Sequence, residues 1–320
     1  MENITLLKII KVLPHFACIT IFILTLSTFF GRYPYLELAT HFRLQYVWLS
    51  VICLVFLLFF NNWTLAVLAF ISILLNTIYI IPYYYPTNRQ VKNVATFNLK
   101  VMTANVEYRN KNYDKLLQSV KLSNPDVLVL QEFTEEWLEN TQVLKTDYLY
   151  FKTVPKTRGS GLAIFSRYPI ENPEILQFDE SNRAALMCKI NIDGTLLSFL
   201  TIHPSTPMAM NKFVSRNKHF AESAKILKNA PEPKLFIGDL NTTMWSPYFS
   251  DLVKDSGLRD VRIGNGLQTS WISFLPPPFR IAIDHCLISE TIEVESVELG
   301  NVTGSDHLPL IVNLKIEKLN

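Results

Sequence analysis

The sequence predicts an N-terminal helical membrane region followed by one large α/β domain. Between Val12 and Gly31, and again between Leu44 and Asn88, the chain has no Asp, Glu, Lys or Arg. From about Thr96 onward, short apolar runs alternate with polar, amphipathic stretches. The chain of 320 residues is 49% hydrophobic with a mean hydropathy of +0.18, and the excess is concentrated in its first 95 residues.

A bilayer core of about 30 Å needs roughly 20 helical residues. The first uncharged stretch fits one span at about 12–31. The second fits two, at about 44–60 and 63–82, broken at Asn61-Asn62. Buried core helices usually keep a polar stripe at a 3.6-residue period, and Val51–Phe60 and Leu65–Leu75 show almost none. Trp48, Trp63 and Tyr83-Tyr84-Tyr85 fall near the span ends, where aromatic belts form. A cleaved signal peptide would use Lys8 and Lys11 as its basic region, but residues 27–31 offer no small-x-small cleavage site, so an uncleaved anchor is expected. The reading is an anchor over 1–95 and a catalytic domain over 96–320, multi-pass in the cell (inner) membrane.

In the second region, strands are expected at 99–106, 127–130, 161–166, 184–190, 196–202, 234–237, 281–288 and 308–314, with helices at 112–122 and 212–227. Residues 1–95 hold six of the 30 basic and two of the 28 acidic side chains, which leaves the second region at a net charge of −2. That balance argues against a dedicated nucleic-acid binder, whose affinity rests on a basic face. The four cysteines have no metal-ligand or redox spacing and read as small apolar residues.

Apolar strands repeatedly begin or end beside Asn, Glu, His or Asp, at positions 105, 132, 203, 239 and 306. Strand ends are rigid platforms from which polar groups can converge. Turns also begin there, so any one case carries little; five cases of suited chemistry carry more.

The segments TANV (103–106), VLVLQE (127–132), GLAIFSRYPI (161–170), FLTIH (199–203), FIGDLN (236–241), AIDHCLIS (282–289) and GSDHLPL (304–310) stand in one order along the chain. That ordered set resembles the endonuclease/exonuclease/phosphatase superfamily, which includes deoxyribonuclease I, exonuclease III, bacterial sphingomyelinases and inositol-polyphosphate 5-phosphatases, over nearly all of 96–320. The resemblance implies a deoxyribonuclease I-like four-layer sandwich, two packed mixed β-sheets flanked by helices. It also implies hydrolysis of a phosphate ester by in-line attack of water with a divalent cation.

A hard cation such as Mg²⁺, or Mn²⁺ in its place, takes carboxylate and amide oxygens. Glu132, Asn105 and Asp306 are the candidate ligands. An imidazole titrates near neutral pH, so His307 is the candidate general base, and the resemblance makes Asp284 its orienting partner. Asp239 would position the water, Asn241 would donate to a phosphoryl oxygen, and His203 and Arg183 would stabilise the developing charge. Arg183 could instead pair with Asp179 or Glu180, and His203 could be a loop histidine before Pro204. His285 reads as structural.

Relatives acting on abasic DNA carry basic and aromatic insertions, and no comparable Lys/Arg cluster occurs here. The segment 270–280 (SWISFLPPPFR) is instead apolar and proline-rich, reading as a stiffened surface loop or a lipid-touching one. Lys8 and Lys11 favour a cytoplasmic N-terminus and hence an extracytoplasmic catalytic domain; Arg32, Arg43, Arg89 and Lys92 oppose it. The expected partners are the bilayer and a phosphate-ester substrate, a phospholipid headgroup or a nucleic acid. A nuclease proper, or a non-catalytic membrane binding module on the same fold, are the alternatives.

Overall fold

The computed structural model describes residues 2–85 and 96–318 and forms two compact units, Met1–Tyr85 with Trp245–Pro247, and the rest of the chain. The expected boundary at 95/96 adjoins residues 86–95, which lie outside the described residues, as do the side chains of Arg89 and Lys92; those of Lys8 and Lys11 do too.

The first unit holds α1 (Glu2–Ser27), α2 (Leu36–Thr40), α3 (Arg43–Phe59) and α4 (Trp63–Ile80). Cys18 and Ile21 of α1, Tyr46, Cys53 and Leu57 of α3, and Ala66 and Ala69 of α4 form its buried seam. Small residues at 66 and 69 let the backbones approach closely. Asn62 ends the break before α4 by accepting the Leu65 N–H at 3.2 Å.

Three spans were expected, but among the described residues only two apolar helical stretches have the length to cross a bilayer, Val12–Phe30 with 19 residues and Trp63–Tyr83 with 21. The middle helix, α3, has 17 residues. At about 1.5 Å per residue it falls short of a core about 30 Å thick. It also opens on a buried arginine rather than a flanking surface charge. Arg43 is 2% exposed, donates to Asn76 Oδ1 at 3.2 Å and lies 3.8 Å from the Tyr79 ring centroid. Asn76 in turn donates to Thr25 Oγ1 at 3.0 Å, so α1, α3 and α4 share one polar tie.

The second unit stacks two six-stranded sheets. One has the order β11-β12-β1-β2-β4-β3, the other β5-β6-β7-β8-β10-β9. The first is built from β1 (Thr96–Asn105), β2 (Val127–Gln131), β3 (Tyr150–Val154), β4 (Leu162–Ser166), β11 (Ile292–Leu299) and β12 (Leu310–Glu317). The second is built from β5 (Ile170–Gln177), β6 (Ala184–Ile192), β7 (Thr195–Ile202), β8 (Lys234–Asp239), β9 (Arg259–Asp260) and β10 (Asp284–Ile288). Alternating residues of both sheets meet in one core, Val101, Val129 and Ile164 from the first with Leu186, Phe199 and Ile237 from the second.

The opposite face of the first sheet presents Met102, Leu128 and Leu130 to Leu116 and Val120 of α5 (Tyr113–Ser123), Trp137 of α6 (Glu135–Asn140) and Leu144 of α7 (Leu144–Asp147). On the second sheet, α8 (Met210–Asn229) contacts β7, and Phe249 of α9 (Pro247–Ser256) packs on His285 of β10 at 4.5 Å between ring centroids. The two mixed sheets with helices outside them match the expected sandwich.

Candidate active site

Pairing direction explains why distant residues converge. β1 and β2 run parallel, so Asn105 and the Gln131-Glu132 step leave the first sheet at the same end. In the second sheet β7 and β8 are parallel, which places His203 and Asp239 together, while antiparallel β10 begins at Asp284 directly opposite Asp239. Gly238 makes the close approach possible. At φ 157° its Cβ would lie 2.2 Å from the Ile202 carbonyl oxygen, so no side chain fits there.

Asp239 is the hub. Its Oδ2 accepts the Asn105 amide at 2.9 Å and lies 3.3 Å from His203 Nε2 and 3.7 Å from His307 Nε2. Its Oδ1 accepts the Asn241 N–H at 2.9 Å. Burial alone would raise this carboxyl, but the positive fields of His307 and His203 and the Asn105 hydrogen bond outweigh it and hold it well below the usual carboxylate range.

On one side of the hub, Asn105 Nδ2 reaches Glu132 Oε1 at 3.3 Å, and Glu132 Oε2 accepts the Tyr108 N–H at 3.1 Å. Asn105 Oδ1 accepts the Glu107 N–H at 2.9 Å. Ser305 Oγ donates to the Asn105 carbonyl at 2.7 Å, which draws in the neighbouring Asp306. Asp306 Oδ2 accepts Trp271 Nε1 at 2.9 Å, and its backbone N–H donates to Glu107 Oε2 at 3.3 Å. Burial and the charges of Asp306 and Glu132 push the Glu107 carboxyl up. Glu107, Glu132 and Asn241 sit at φ 55°, 59° and 51°. Such left-handed backbone costs roughly 1–3 kcal/mol per residue and gathers at functional sites.

On the other side, His307 Nδ1 lies 2.9 Å from Asp284 Oδ2, which also accepts the Ser270 hydroxyl at 2.5 Å. Burial disfavours the imidazolium, yet Asp284 and Asp239 more than offset it and push the group up to about 10. Beside them, Arg183 Nη1 is 3.2 Å from His203 Nδ1 and donates to the carbonyls of His203 at 3.0 Å and Gly159 at 3.2 Å. Asp179 is not its hydrogen-bond partner; that carboxylate accepts from Ser181, Ser215 and His219. Asn241 Nδ2 points to the Pro204 carbonyl at 3.1 Å.

All nine expected residues therefore fall within one set of contacts, with Asp306 at its more open edge. Sequence reasoning did not single out Glu107, Ser270, Ser305 or Arg262. Ser305 lies inside the GSDHLPL motif and Glu107 directly follows TANV, a signal that was present. Arg262 had none. It is fully buried and donates to the Asp284 carbonyl, to the Leu267 carbonyl at 2.9 Å and toward His285 Nδ1 at 3.1 Å. His285, whose Nε2 meets the Thr242 carbonyl at 2.8 Å, is held behind the site.

The oxygens of Asn105, Glu107, Glu132, Asp239 and Asp306 are of the kind a hard divalent cation takes. Asp284 Oδ1 is buried with no hydrogen-bond partner among the described residues. Asp239, Asp284 and His307 also offer ligand atoms within 4.8 Å of one another.

The endonuclease/exonuclease/phosphatase family model matches residues 95–307. A phospholipase C from Staphylococcus aureus is 29% identical over 192 residues, covering 54% of this chain and 55% of the relative, so the chain spans about half the length of the curated relatives it matches. Among solved structures, an endonuclease/exonuclease/phosphatase from Bacteroides vulgatus is 17% identical with TM-score 0.59, covering 69% of this chain and 100% of that one. A humanized D. rerio TDP2 is 18% identical with TM-score 0.57, covering 68% and 98%. These likenesses share the fold. With the family model extending over most of the catalytic unit, the chain belongs to the endonuclease/exonuclease/phosphatase family.

Proposed function

We propose that this protein is a membrane-anchored, divalent-metal-dependent phosphoesterase that hydrolyses phosphodiester or phosphomonoester bonds. The observation that carries the reading is the convergence on Asp239 of Asn105 and His203, with His307 3.7 Å away and backed by Asp284. The family match and the likeness to a phospholipase C support the same reaction class.

Glu132, Asn105 and Asp306 would hold Mg²⁺ or Mn²⁺, with Glu107 alongside. A bound cation of this kind offsets negative charge on the phosphate. The alternative trio of Asp239, Asp284 and His307 is less suited, because His307 Nδ1 and Asp284 Oδ2 are already joined at 2.9 Å. Asp239 positions the attacking water. His203 and Arg183 present positive charge to the phosphoryl oxygens, and Asn241, by turning from Pro204, donates to one of them. His307 serves as general base in its neutral form, a form that grows as pH rises toward about 10.

Residues 1–95 act as the anchor and 96–320 as the catalytic domain. The two apolar stretches Val12–Phe30 and Trp63–Tyr83 support insertion in the cell membrane.

The test is hydrolysis of bis-para-nitrophenyl phosphate, phospholipid and supercoiled plasmid by purified full-length protein with Mg²⁺ or Mn²⁺, beside Asp239→Asn. Turnover of an ester that the variant loses supports the reading. Plasmid nicking with intact lipid would turn it to a nuclease, and a folded protein inert on all three would leave a binding module.

A further inference from the structure

Two exposed apolar loops leave the sheets at the end where the site lies. One follows β7 directly and runs into the first turn of α8, and residues His203–Asn211 contain no Asp, Glu, Lys or Arg, with Met208 66% and Met210 47% exposed. The other precedes β10; residues Thr269–Phe279 are again uncharged, with Phe274 77% and Phe279 60% exposed. Because β10 runs antiparallel to β8, and β7 parallel to it, the end of β7 and the start of β10 share one end of the sheet. Lys212 and Arg280 follow the two runs immediately.

The second loop is mounted on the catalytic segment. Ser273 N–H donates to the Asp306 carbonyl at 2.8 Å, Ser273 Oγ to the Ser305 carbonyl at 2.7 Å, and Trp271 Nε1 to the Asp306 carboxylate at 2.9 Å. Pro276-Pro277-Pro278 stiffens its tip, and Phe279 N–H closes on the Pro276 carbonyl at 2.9 Å. Phe274 and Phe279 are thus held outward at fixed positions. Exposed large apolar side chains on rigid, uncharged loops mark an interaction surface.

Chain connectivity identifies what covers it. Among the described residues two helical stretches are apolar and long enough to cross a bilayer, and Thr96 follows Tyr85, just beyond the second of them, by eleven residues. Fully extended, that link spans at most about 40 Å. On the membrane-anchored reading, a lipid surface is always within reach of the domain. Aromatic and apolar tips flanked by Lys and Arg suit the boundary between acyl chains and anionic headgroups.

We propose that the 203–211 and 269–279 loops form a lipid-contact rim that seats the site on a bilayer, and that the ester cleaved belongs to a lipid headgroup. The identity of the ester rests on the phosphoesterase reading; the contact rests on the membrane anchor alone.

Full-length protein in phosphatidylcholine/phosphatidylglycerol vesicles, carrying Phe274→Cys labelled with bimane, reads the contact directly. Cys18, Cys53, Cys188 and Cys286 are all buried, so the introduced thiol takes the label. Nitroxide lipids should quench this label but not one at Glu174→Cys on exposed β5. In parallel, Met208→Ser/Met210→Ser/Phe274→Ser/Phe279→Ser should lose at least about tenfold in hydrolysis of vesicle phospholipid, by weakened apolar insertion. Its turnover of soluble bis-para-nitrophenyl phosphate should be unchanged. A label at 274 that nitroxide lipids leave bright, even if shielded by a protein, overturns the lipid contact. Unchanged vesicle hydrolysis by the variant overturns its role in substrate access. Wild type inert on both esters would remove the phosphoesterase reading, while the quenching would still decide the contact.

Discussion

His307 Nδ1 lies 2.9 Å from Asp284 Oδ2, and the same oxygen accepts the Ser270 hydroxyl at 2.5 Å, so the imidazole is backed by an anion that is itself fixed. With Asp239 3.7 Å from its other nitrogen, the ring stands between two buried carboxylates. That arrangement favours the imidazolium.

The first consequence is a pH dependence. A base pushed up to about 10 should give a turnover that climbs with pH on the alkaline side of neutrality. Asp284→Asn removes one of the two anions, so the climb should begin at lower pH while peak turnover falls by about a hundredfold or more. A rate–pH profile of both proteins checks this; coincident profiles would remove Asp284 from the role.

The same shift bears on stability in metal-free protein. A raised imidazole contributes stability that is fully present below its ordinary value of 6.5 and lost as pH rises through about 10. Melting temperatures in a chelator should therefore show wild type and Asp284→Asn drawing together between neutral pH and about 10.

Trp271 is a test of support for the cation. Its indole N–H fixes Asp306 Oδ2 at 2.9 Å. Trp271→Phe keeps most of the volume and removes that bond, which should weaken Mn²⁺ affinity by about 10- to 100-fold with little change in fold. Calorimetric titration with matched circular dichroism separates the two effects.

Arg262 should matter through stability. It is fully buried, lies 4.0 Å from Asp260 and holds the Asp284 carbonyl. Arg262→Met leaves Asp260 buried without that cation, and burial already raises its carboxyl. A loss of about 3 kcal/mol is expected, measured as a lowered unfolding midpoint.

The central strands were legible because β2, β4 and β8 are buried on both faces and read as unbroken apolar runs. The edge strands were not. β5 is largely exposed, carries Pro173 and shifts register between Glu171 and Glu174; β3 and β11 bury little more. Polar residues at strand ends flagged Asn105, Glu132, His203 and Asp239, since those groups interrupt apolar runs. Arg262 and Ser270 act through contacts 22 and 14 residues away that only tertiary pairing creates. The charge on His307 likewise depends on two carboxylates brought together by strand register. In the first unit, uncharged length suggested three spans, and the burial of Arg43 at the start of α3 was invisible to that criterion.

The central claim is that Glu132, Asn105 and Asp306 hold a hard cation beside Asp239, and titration of Mn²⁺ into the full-length protein, followed by calorimetry, tests it most directly. Saturable binding that Glu132→Gln abolishes and His307→Ala leaves in place is the expected result. Absence of binding by folded wild type, or binding that Glu132→Gln does not change, would contradict it.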